Sequence, residues 1–285
     1  QGFSLTHLSG TGIPDLGDFL FMPGTGEIKL NPGTDENPDE GYRSRFSHEE
    51  EKATPGYYGV MLKDYGVKAE MTSAVRSGMF RFTYPKSDKS FILIDLNHTL
   101  WQKCVWSNIR VENDSVVTGY KLVKGWGPER HIYFRAVFSK PLKNFMIYQD
   151  QKPVIYNTSR FRSNREAWGP NIMFTATFST DADEVVTVKT SISAISTDGA
   201  ALNMRELDGM TFDSVKALAE QKWEKELSTY TIKGTREQKE TFYTSAYHAA
   251  LCPFVYNDAD GSYLGLDKNV EKESGFTNRT EFSFW

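Results

Sequence analysis

Cysteine is scarce in this sequence: its 285 residues include only Cys104 and Cys252, which lie far apart and form no Cys-x-x-Cys pair. Such a pattern offers neither a disulfide framework nor a cysteine-rich zinc site. We expect two free, buried thiols, with a single bridge between them as the alternative. Long apolar runs are missing too, and none approaches the length of a membrane span. The sequence therefore predicts no membrane-spanning segment.

Positive charge is not in excess either, since the net charge is −4 and the isoelectric point is about 5.8. A basic surface is the usual mark of proteins that bind nucleic acid or anionic membranes, so we expect neither partner. The sequence has no Gly-x-Ser-x-Gly motif and no P-loop, and its early glycines do not fit a dinucleotide-binding pattern. Serine hydrolases with that motif, P-loop nucleotide-binding proteins and dinucleotide-dependent enzymes are thereby disfavoured.

Aromatic residues are abundant, at 14% of the chain, and they occur in short alternating runs. Between Gly56 and Ser193, polar and apolar residues alternate with a period of two, as in 131–138. Residues 91–94 form a fully apolar strand, Asn113-Asp114 marks a hairpin turn, and 185–192 closes the series. Many strands without intervening helices predict an antiparallel β-sandwich.

The period changes after Ser193, which indicates helices. Thr211 resembles a helix start, and the residues after it repeat apolar side chains every three to four positions. Thr235 and Gln238 form a capping-box pattern, and Pro253 ends the second helix. We expect a β-sandwich domain over 1–195, then a helical linker and the beginning of a helical domain over 196–285. Both ends of the chain look internal to a larger protein.

The first 26 residues are rich in glycine, hydroxyl groups and carboxylates. Ordering glycine is entropically costly, so a rigid loop here points to a ligand held close to the backbone. Asp15 and Asp18 suit hydrogen bonds with sugar hydroxyls or coordination of a cation, although turn capping is the favoured alternative. His7 suits either a site lining or a structural role, and no second histidine or cysteine stands at zinc spacing.

Three other patterns have ordinary explanations. Asn257–Gly261 resembles a calcium loop, but the EF-hand positions do not match, so we expect a simple turn. Residues 47–51 fit either catalytic carboxylates or a solvated run of charge, and the latter is commoner. Four tryptophans could stack on sugar rings, but in so aromatic a chain we expect most of them in the core: Trp101, Trp106, Trp126 and Trp168.

Several long motifs, taken together, resemble one enzyme family. They are Thr-His-Leu-Ser-Gly-Thr-Gly at 6–12 with Asp-Leu-Gly-Asp at 15–18, residues 46–58, residues 93–98, residues 258–263 and Phe-Ser-Phe-Trp at 282–285. Their order and spacing closely resemble the calcium-dependent, exo-acting α-mannosidases of glycoside hydrolase family 92. One departure is Ile13-Pro14, which replaces a small pair and restricts the backbone of the first loop.

The resemblance implies a β-sandwich joined by helices to an (α/α)6 barrel that is largely missing here. It implies hydrolysis of terminal α-mannosides of N-glycans or mannan with inversion, in a secreted or periplasmic enzyme. The acid, the base and most calcium ligands belong to the barrel in that family, so we assign no catalytic or metal-binding residue. The partners implied are a mannose-containing oligosaccharide and the protein's own barrel. The residues expected to contact substrate are His7, Thr11, Asp15, Asp18 and Trp285.

Two alternatives stay open at this point. The chain could be a non-catalytic carbohydrate-binding or architectural module. It could also belong to a sandwich-plus-barrel glycosidase or phosphorylase of other specificity.

Overall fold

The computed structural model describes residues 2–7, 14–125, 127, 129–157, 159, 163–251, 254–273 and 275. Strands dominate the first two thirds of the chain. They are β1 (Phe3–Ser4), β2 (Leu20–Thr25), β3 (Lys52–Thr54), β4 (Tyr57–Leu62), β5 (Val67–Ser73), β6 (Ser77–Tyr84), β7 (Ser87–Asp95), β8 (Lys103–Val111), β9 (Val116–Lys124), β10 (Arg130–Phe138), β11 (Asn144–Gln149), β12 (Lys152–Pro153), β13 (Glu166–Gly169), β14 (Ile172–Thr180) and β15 (Glu184–Ser193). Helices α1 (Thr197–Asn203), α2 (Phe212–Leu227) and α3 (Arg236–Ala250) and strands β16 (Ser262–Leu264) and β17 (Val270–Lys272) follow.

The strands of the first domain form two antiparallel sheets. The six-stranded sheet has the order β1-β2-β7-β14-β11-β12, and the nine-stranded sheet has the order β13-β8-β9-β10-β15-β6-β5-β4-β3. Their facing surfaces enclose the hydrophobic core, where Phe21 of β2 packs against Phe80 of β6 with ring centroids 5.1 Å apart. This arrangement confirms the predicted antiparallel β-sandwich followed by helices.

The alternation read from the sequence matches the burial of the strands. In β10 every second residue from Arg130 to Phe138 is buried, and residues 91–94 of β7 are buried throughout. The turn at Asn113-Asp114 joins β8 to β9, which pair antiparallel up to Val111 and Val117. Period two is therefore a reliable guide here because one face of each strand meets the core.

Of the three α-helices in the described part of the chain, two begin where the sequence predicts. Thr211 and Ser214 form a capping box at the start of α2, and Thr235 and Gln238 form one at the start of α3. Helix α2 buries Phe212 on the outer face of the nine-stranded sheet, whereas α3 buries no side chain within the described residues. None of the helices in the described part of the chain is long and apolar enough to cross a membrane.

The expectation that most tryptophans lie in the core is wrong for the three whose side chains are described. Trp101, Trp106 and Trp168 are 66%, 44% and 54% exposed. Trp101 stands in a loop. The other two point away from the core because strand side chains alternate between the two faces, and they stay exposed because no helix of the described ranges covers that part of the sheet. Trp126 lies outside the described residues.

The two cysteines differ in what can be said of them. Cys104 is a buried free thiol, as expected. Cys252 lies outside the described residues, so its state stays a prediction.

Candidate functional site

The glycine-rich loop ends in a short, tightly bent segment, residues 14–19, that lies against the beginning of the chain. His7 and Leu16 form an isolated antiparallel bridge, and Leu5 N donates to Asp18 O at 3.0 Å. Leu16, Gly17 and Phe19 all have positive φ, at 63°, 80° and 53°. Non-glycine residues rarely adopt this conformation, so the surrounding contacts must hold it.

One of those contacts is a buried ion cluster around Asp18, whose side chain is fully buried. Arg130 Nη2 lies 2.7 Å from Asp18 Oδ2, and Lys121 Nζ lies 3.5 Å from Asp18 Oδ1. Thr6 Oγ1 donates to Asp18 Oδ2 at 2.7 Å and accepts from Asp18 N at 2.9 Å. The cluster ties the loop to strands β9 and β10 of the opposite sheet.

The charge state of Asp18 follows from these neighbours. Burial by itself raises the pKa of a carboxyl group, but Arg130, Lys121 and the Thr6 hydrogen bond together lower the pKa of Asp18 below its usual value. Asp18 is therefore an ionised structural anion between two cations, and it has no proton to give at neutral pH.

Asp15 braces the same loop from the other side. Its Oδ1 accepts hydrogen bonds from Leu16 N at 2.6 Å and from Gln102 Nε2 at 2.5 Å. The first bond is the turn-capping arrangement weighed against a sugar-binding role, and the second joins the loop to residues 96–102. Leu100 N adds a bond to Leu16 O at 3.4 Å.

The other predicted site residues fall in different places. His7 is exposed at the start of the loop. Thr11 and Trp285 lie outside the described residues. The structure thus brings His7, Asp15 and Asp18 to one segment, with Asp15 and Asp18 buried beneath it and His7 at the surface.

Sequence reasoning missed Lys121 and Arg130, the two cations of the cluster. A signal for Lys121 was available, because it shares the apolar face of β9 with Val117 and Val123, four and two residues away. A lysine on an apolar face needs a buried partner. Arg130 gave no such signal, since it stands at the very start of its strand.

Of two cavities in this region, one adjoins the loop, and the other lies at residues 97–99, next in sequence to Leu100 and Gln102, which contact the loop. The smaller, about 80 Å³, lies between the sandwich and the segment that follows α3; Thr6, Leu16 and Arg130 line one wall, and residues 254–258 line the other. The larger is an open polar cleft of about 570 Å³, lined by Tyr42, Asp95 and residues 97–99 among others. Residues 96–102 link the two cavities, because 97–99 line the larger cavity and Leu100 and Gln102 form hydrogen bonds with the loop that lines the smaller one.

The far wall of the smaller cavity is fixed by a second buried carboxylate, Asp258. Ser193 Oγ donates to Asp258 Oδ2 and Asn203 Nδ2 donates to Asp258 Oδ1, both at 2.7 Å. Arg76 Nε donates to Asn257 O at 2.6 Å. The Asp-rich turn is thus structural. We call Asp258 with its partners Ser193 and Asn203 the clasp; Asn203 belongs to α1, a helix that sequence reasoning missed.

In the larger, polar cleft the Asp95 carboxylate is also held by hydrogen bonds. Tyr42 Oη donates to Asp95 Oδ2 at 2.8 Å, and the amides of Asn97 and His98 donate to Asp95 Oδ1. Burial raises the pKa of Asp95. Burial and the nearby Lys121 lower the pKa of His98 to about 4, so its imidazole is neutral at pH 7. A neutral imidazole and amide side chains suit an uncharged, hydroxyl-rich ligand.

The same residues do not offer a binding site for a divalent metal ion. Across the described ranges, no three His, Cys, Asp or Glu side chains converge to hold a metal. Asp15, Asp18, Asp95 and Asp258 are each already held by hydrogen bonds or cations. The described residues around these cavities therefore do not form a calcium site.

The chain is similar to known glycoside hydrolases over nearly its whole length. Residues 1–193 match the glycosyl hydrolase family 92 N-terminal domain, and residues 199–285 match the glycosyl hydrolase family 92 catalytic domain. Comparison with curated proteins gave no match.

Solved structures give the same result. The chain is 70% identical to a family GH92 α-mannosidase from Bacteroides thetaiotaomicron, with a TM-score of 0.95 over 97% of this chain and 37% of that one. A second structure of that enzyme, in complex with mannoimidazole, has the same identity and TM-score and is covered over 36%. A family GH92 inverting mannosidase from the same species is 24% identical, with a TM-score of 0.75 over 89% of this chain and 33% of that one, and shares the fold. The chain therefore spans about a third of the length of these relatives.

Proposed function

Because this chain belongs to glycosyl hydrolase family 92, we propose that it forms the β-sandwich and first helices of an enzyme that hydrolyses terminal α-mannosides. The observation that carries the proposal is the 70% identity, over 97% of this chain, to a protein named an α-mannosidase. Since the chain spans 37% of that relative, the activity is proposed for the complete protein.

The proposed substrate is a mannose-containing oligosaccharide, such as an N-glycan or mannan. The relative that was solved with mannoimidazole supports a mannose-like ligand. Beneath the loop, the buried Asp18 carboxylate is paired with Arg130 and Lys121, so it presents no bare negative charge to a neutral sugar. A secreted or periplasmic location is proposed with this substrate, because such glycans lie outside the cytoplasm.

The proposed role of this chain is to build one wall of the sugar site. Asp15 and Asp18 are buried, so they act on the sugar through the backbone of residues 14–19 that they hold in its strained conformation. His7, Thr11 and Trp285 are the proposed direct contacts. Positioning of this kind matters because small displacements of a substrate from its reacting geometry are costly in rate.

The acid and the base are proposed to come from outside the described residues. Inverting hydrolysis requires a carboxylic acid at the leaving oxygen and a carboxylate that activates water, roughly 6.5–9.5 Å apart. Asp18 is held between cations, and Asp95 and Asp258 are locked in hydrogen bonds. None of these three is placed to exchange a proton with a sugar.

Calcium is proposed as the cofactor of the complete protein, on the family resemblance. The described carboxylates do not fit it, because their oxygens already bind side chains and backbone amides of this chain. We therefore derive no step of the reaction through calcium here.

The test is an assay of the complete protein with 4-nitrophenyl glycosides and with an α-mannan. We expect release of mannose from the α-mannoside but not from the α-glucoside, with the β-anomer appearing first by proton NMR. Chelation should abolish the activity and calcium should restore it. A rate that depends on phosphate would instead identify a phosphorylase. Sugar binding without hydrolysis by the complete protein would identify a non-catalytic module.

A further inference from the structure

Part of the outer face of the nine-stranded sheet carries exposed tryptophans. Helix α2 covers β4, β5 and β6, and α1 lies against β15, β10 and, to a smaller extent, β9. Trp106 of β8 and Trp168 of β13, at the free edge of the same sheet, are 44% and 54% exposed. Large exposed aromatic side chains that share a surface mark a binding site more often than isolated ones do.

The strand register places the two indoles side by side. Trp168 of β13 pairs with Asn108 of β8. Trp106 lies two residues before Asn108 on β8 and pairs with Leu122 of β9 on its other side. Trp106, Asn108 and Trp168 therefore share one face of the sheet, and the tryptophans are diagonal neighbours on adjacent strands, roughly 7–8 Å apart between Cα atoms. Ile109 and Val111 are buried in the core.

Polar groups surround the indoles and balance one another's charge. Trp168 Nε1 donates to Glu166 Oε1 at 2.5 Å, and Arg110 Nε lies 3.7 Å from Glu166 Oε2. Asn108 Nδ2 donates to Ala167 O at 3.1 Å. We call Trp106, Asn108, Arg110, Glu166 and Trp168 the indole surface; it combines two apolar ring faces with hydrogen-bonding groups and has no net charge.

This combination fits the chemistry of a sugar chain. A pyranose ring presents C–H groups on its faces, which pack on the electron-rich face of an indole, and hydroxyl groups at its edge. Arg110 and Glu166 can bind those hydroxyl groups, since both charged groups offer strong donors or acceptors. The compensated charge matches a neutral ligand rather than a nucleic acid or an anionic lipid.

The indole surface is continuous with the candidate site. Trp106 pairs with Leu122, and Leu122 pairs with His131, which lines the smaller cavity together with Thr6 and Leu16. Only two strand spacings, roughly 10 Å, therefore separate the indole surface from the rim of this cavity, a distance that two or three sugar units can span. We propose that the indole surface binds a mannosyl chain at units remote from the one that is hydrolysed. This inference rests on the proposed function for the identity of the sugar.

The experiment compares Trp106→Ala, Trp168→Ala and the double variant in the complete protein. For α-mannan, we expect KM to rise roughly two- to tenfold per tryptophan, the loss of one stacking contact, and to rise much less for 4-nitrophenyl α-mannoside. Affinity electrophoresis in a mannan-containing gel should show a parallel loss of retardation. Trp168→Tyr should recover most of the binding, because it keeps an aromatic face.

Phe46→Ala is the matched control, because Phe46 is 49% exposed and lies near β3, at the opposite edge of the same sheet. It should leave both substrates unaffected. Equal effects of the tryptophan variants on both substrates, or no effect on mannan, would overturn the proposal. If the wild-type protein hydrolyses neither substrate, the proposed function fails, and retardation of wild type but not of the variants in the mannan gel still decides the role of the indole surface.

Discussion

Arg130 Nη2 lies 2.7 Å from Asp18 Oδ2, and this buried contact joins the nine-stranded sheet to the loop that precedes the first long strand of the other sheet. The pair stabilises the loop, as hydrophobic packing stabilises the core. It fixes residues 14–19 in a conformation with three positive φ angles, which the loop would not keep alone. The candidate site and the stability of the sandwich therefore depend on the same contact.

Breaking this pair should be costly. Arg130→Ala leaves the buried carboxylate of Asp18 with Lys121 as its only remaining cation among the described residues, and loss of one partner of a buried pair typically costs about 3–5 kcal/mol. We expect a fall of that size in the free energy of unfolding in urea. Arg236→Ala is the control, because Arg236 and Glu240 form a solvent-exposed pair on α3, and its loss should cost less than about 1 kcal/mol. Similar small effects for both variants would show that the buried pair contributes little.

A second ion pair predicts a dependence of stability on pH. Burial raises the pKa of Glu70, but hydrogen bonds from Arg81 and Tyr57 outweigh this and lower its pKa to about 2. Because the pKa is lower in the folded state than in the unfolded state, the contribution of Glu70 is full above about pH 4.5 and is lost as the pH falls towards 2.

The measurement is the difference in unfolding free energy between wild type and Glu70→Gln across this range. We expect the difference to be constant from pH 5 to 7 and to shrink by up to about 3 kcal/mol between pH 4.5 and 2. A difference that stays constant down to pH 2 would contradict the lowered pKa.

Gly199 gives a prediction whose sign is opposite to the usual one. Replacing a helical glycine by alanine normally stabilises a helix by about 1 kcal/mol. Here a Cβ on Gly199 would clash with Asp258 Oδ2 and lie 2.5 Å from Ser193 Oγ. We expect Gly199→Ala to lower the unfolding free energy by about 1–3 kcal/mol and to expose residues 254–258 to proteolysis. The neighbouring variant Asp198→Ala, at an exposed position, should change stability by less than about 0.5 kcal/mol. Stabilisation by Gly199→Ala would disprove the clasp.

Local sequence patterns predicted much of this fold, and tertiary contacts explain what they missed. The strands at 91–94 and 131–138 and the caps at Thr211 and Thr235 depend on neighbours in sequence, so they were found. Helix α1 is only seven residues long and depends on packing against β15, so its pattern was too short to detect.

The site was predicted less completely for the same reason. Asp15 and Asp18 were chosen as candidates because carboxylates in a glycine-rich loop are conspicuous, but their partners Gln102 and Arg130 are distant in sequence. The expected burial of Trp106 and Trp168 was wrong. Their exposure depends on which part of the outer sheet face the helices cover. No local pattern contains that information.

The last prediction links the loop to activity through Gly17. Its φ is 80°, and a Cβ there would lie 2.8 Å from Leu100 Cγ, so Gly17→Ala should displace residues 14–19. In the complete protein we expect kcat/KM for an α-mannoside to fall about tenfold or more, because displacement of a substrate-positioning wall by about 1 Å can cost up to 10²-fold.

Gly209→Ala separates this effect from backbone strain. Gly209 also has a positive φ, 68°, but it is exposed, and a Cβ there meets nothing within 4 Å. Both variants should therefore lose about 1–2 kcal/mol of stability from the left-handed conformation alone, whereas only Gly17→Ala should lose activity at a temperature where both are folded. If Gly17→Ala keeps the wild-type kcat/KM, residues 14–19 form no part of the sugar site, and the ion cluster beneath them serves only the stability of the sandwich.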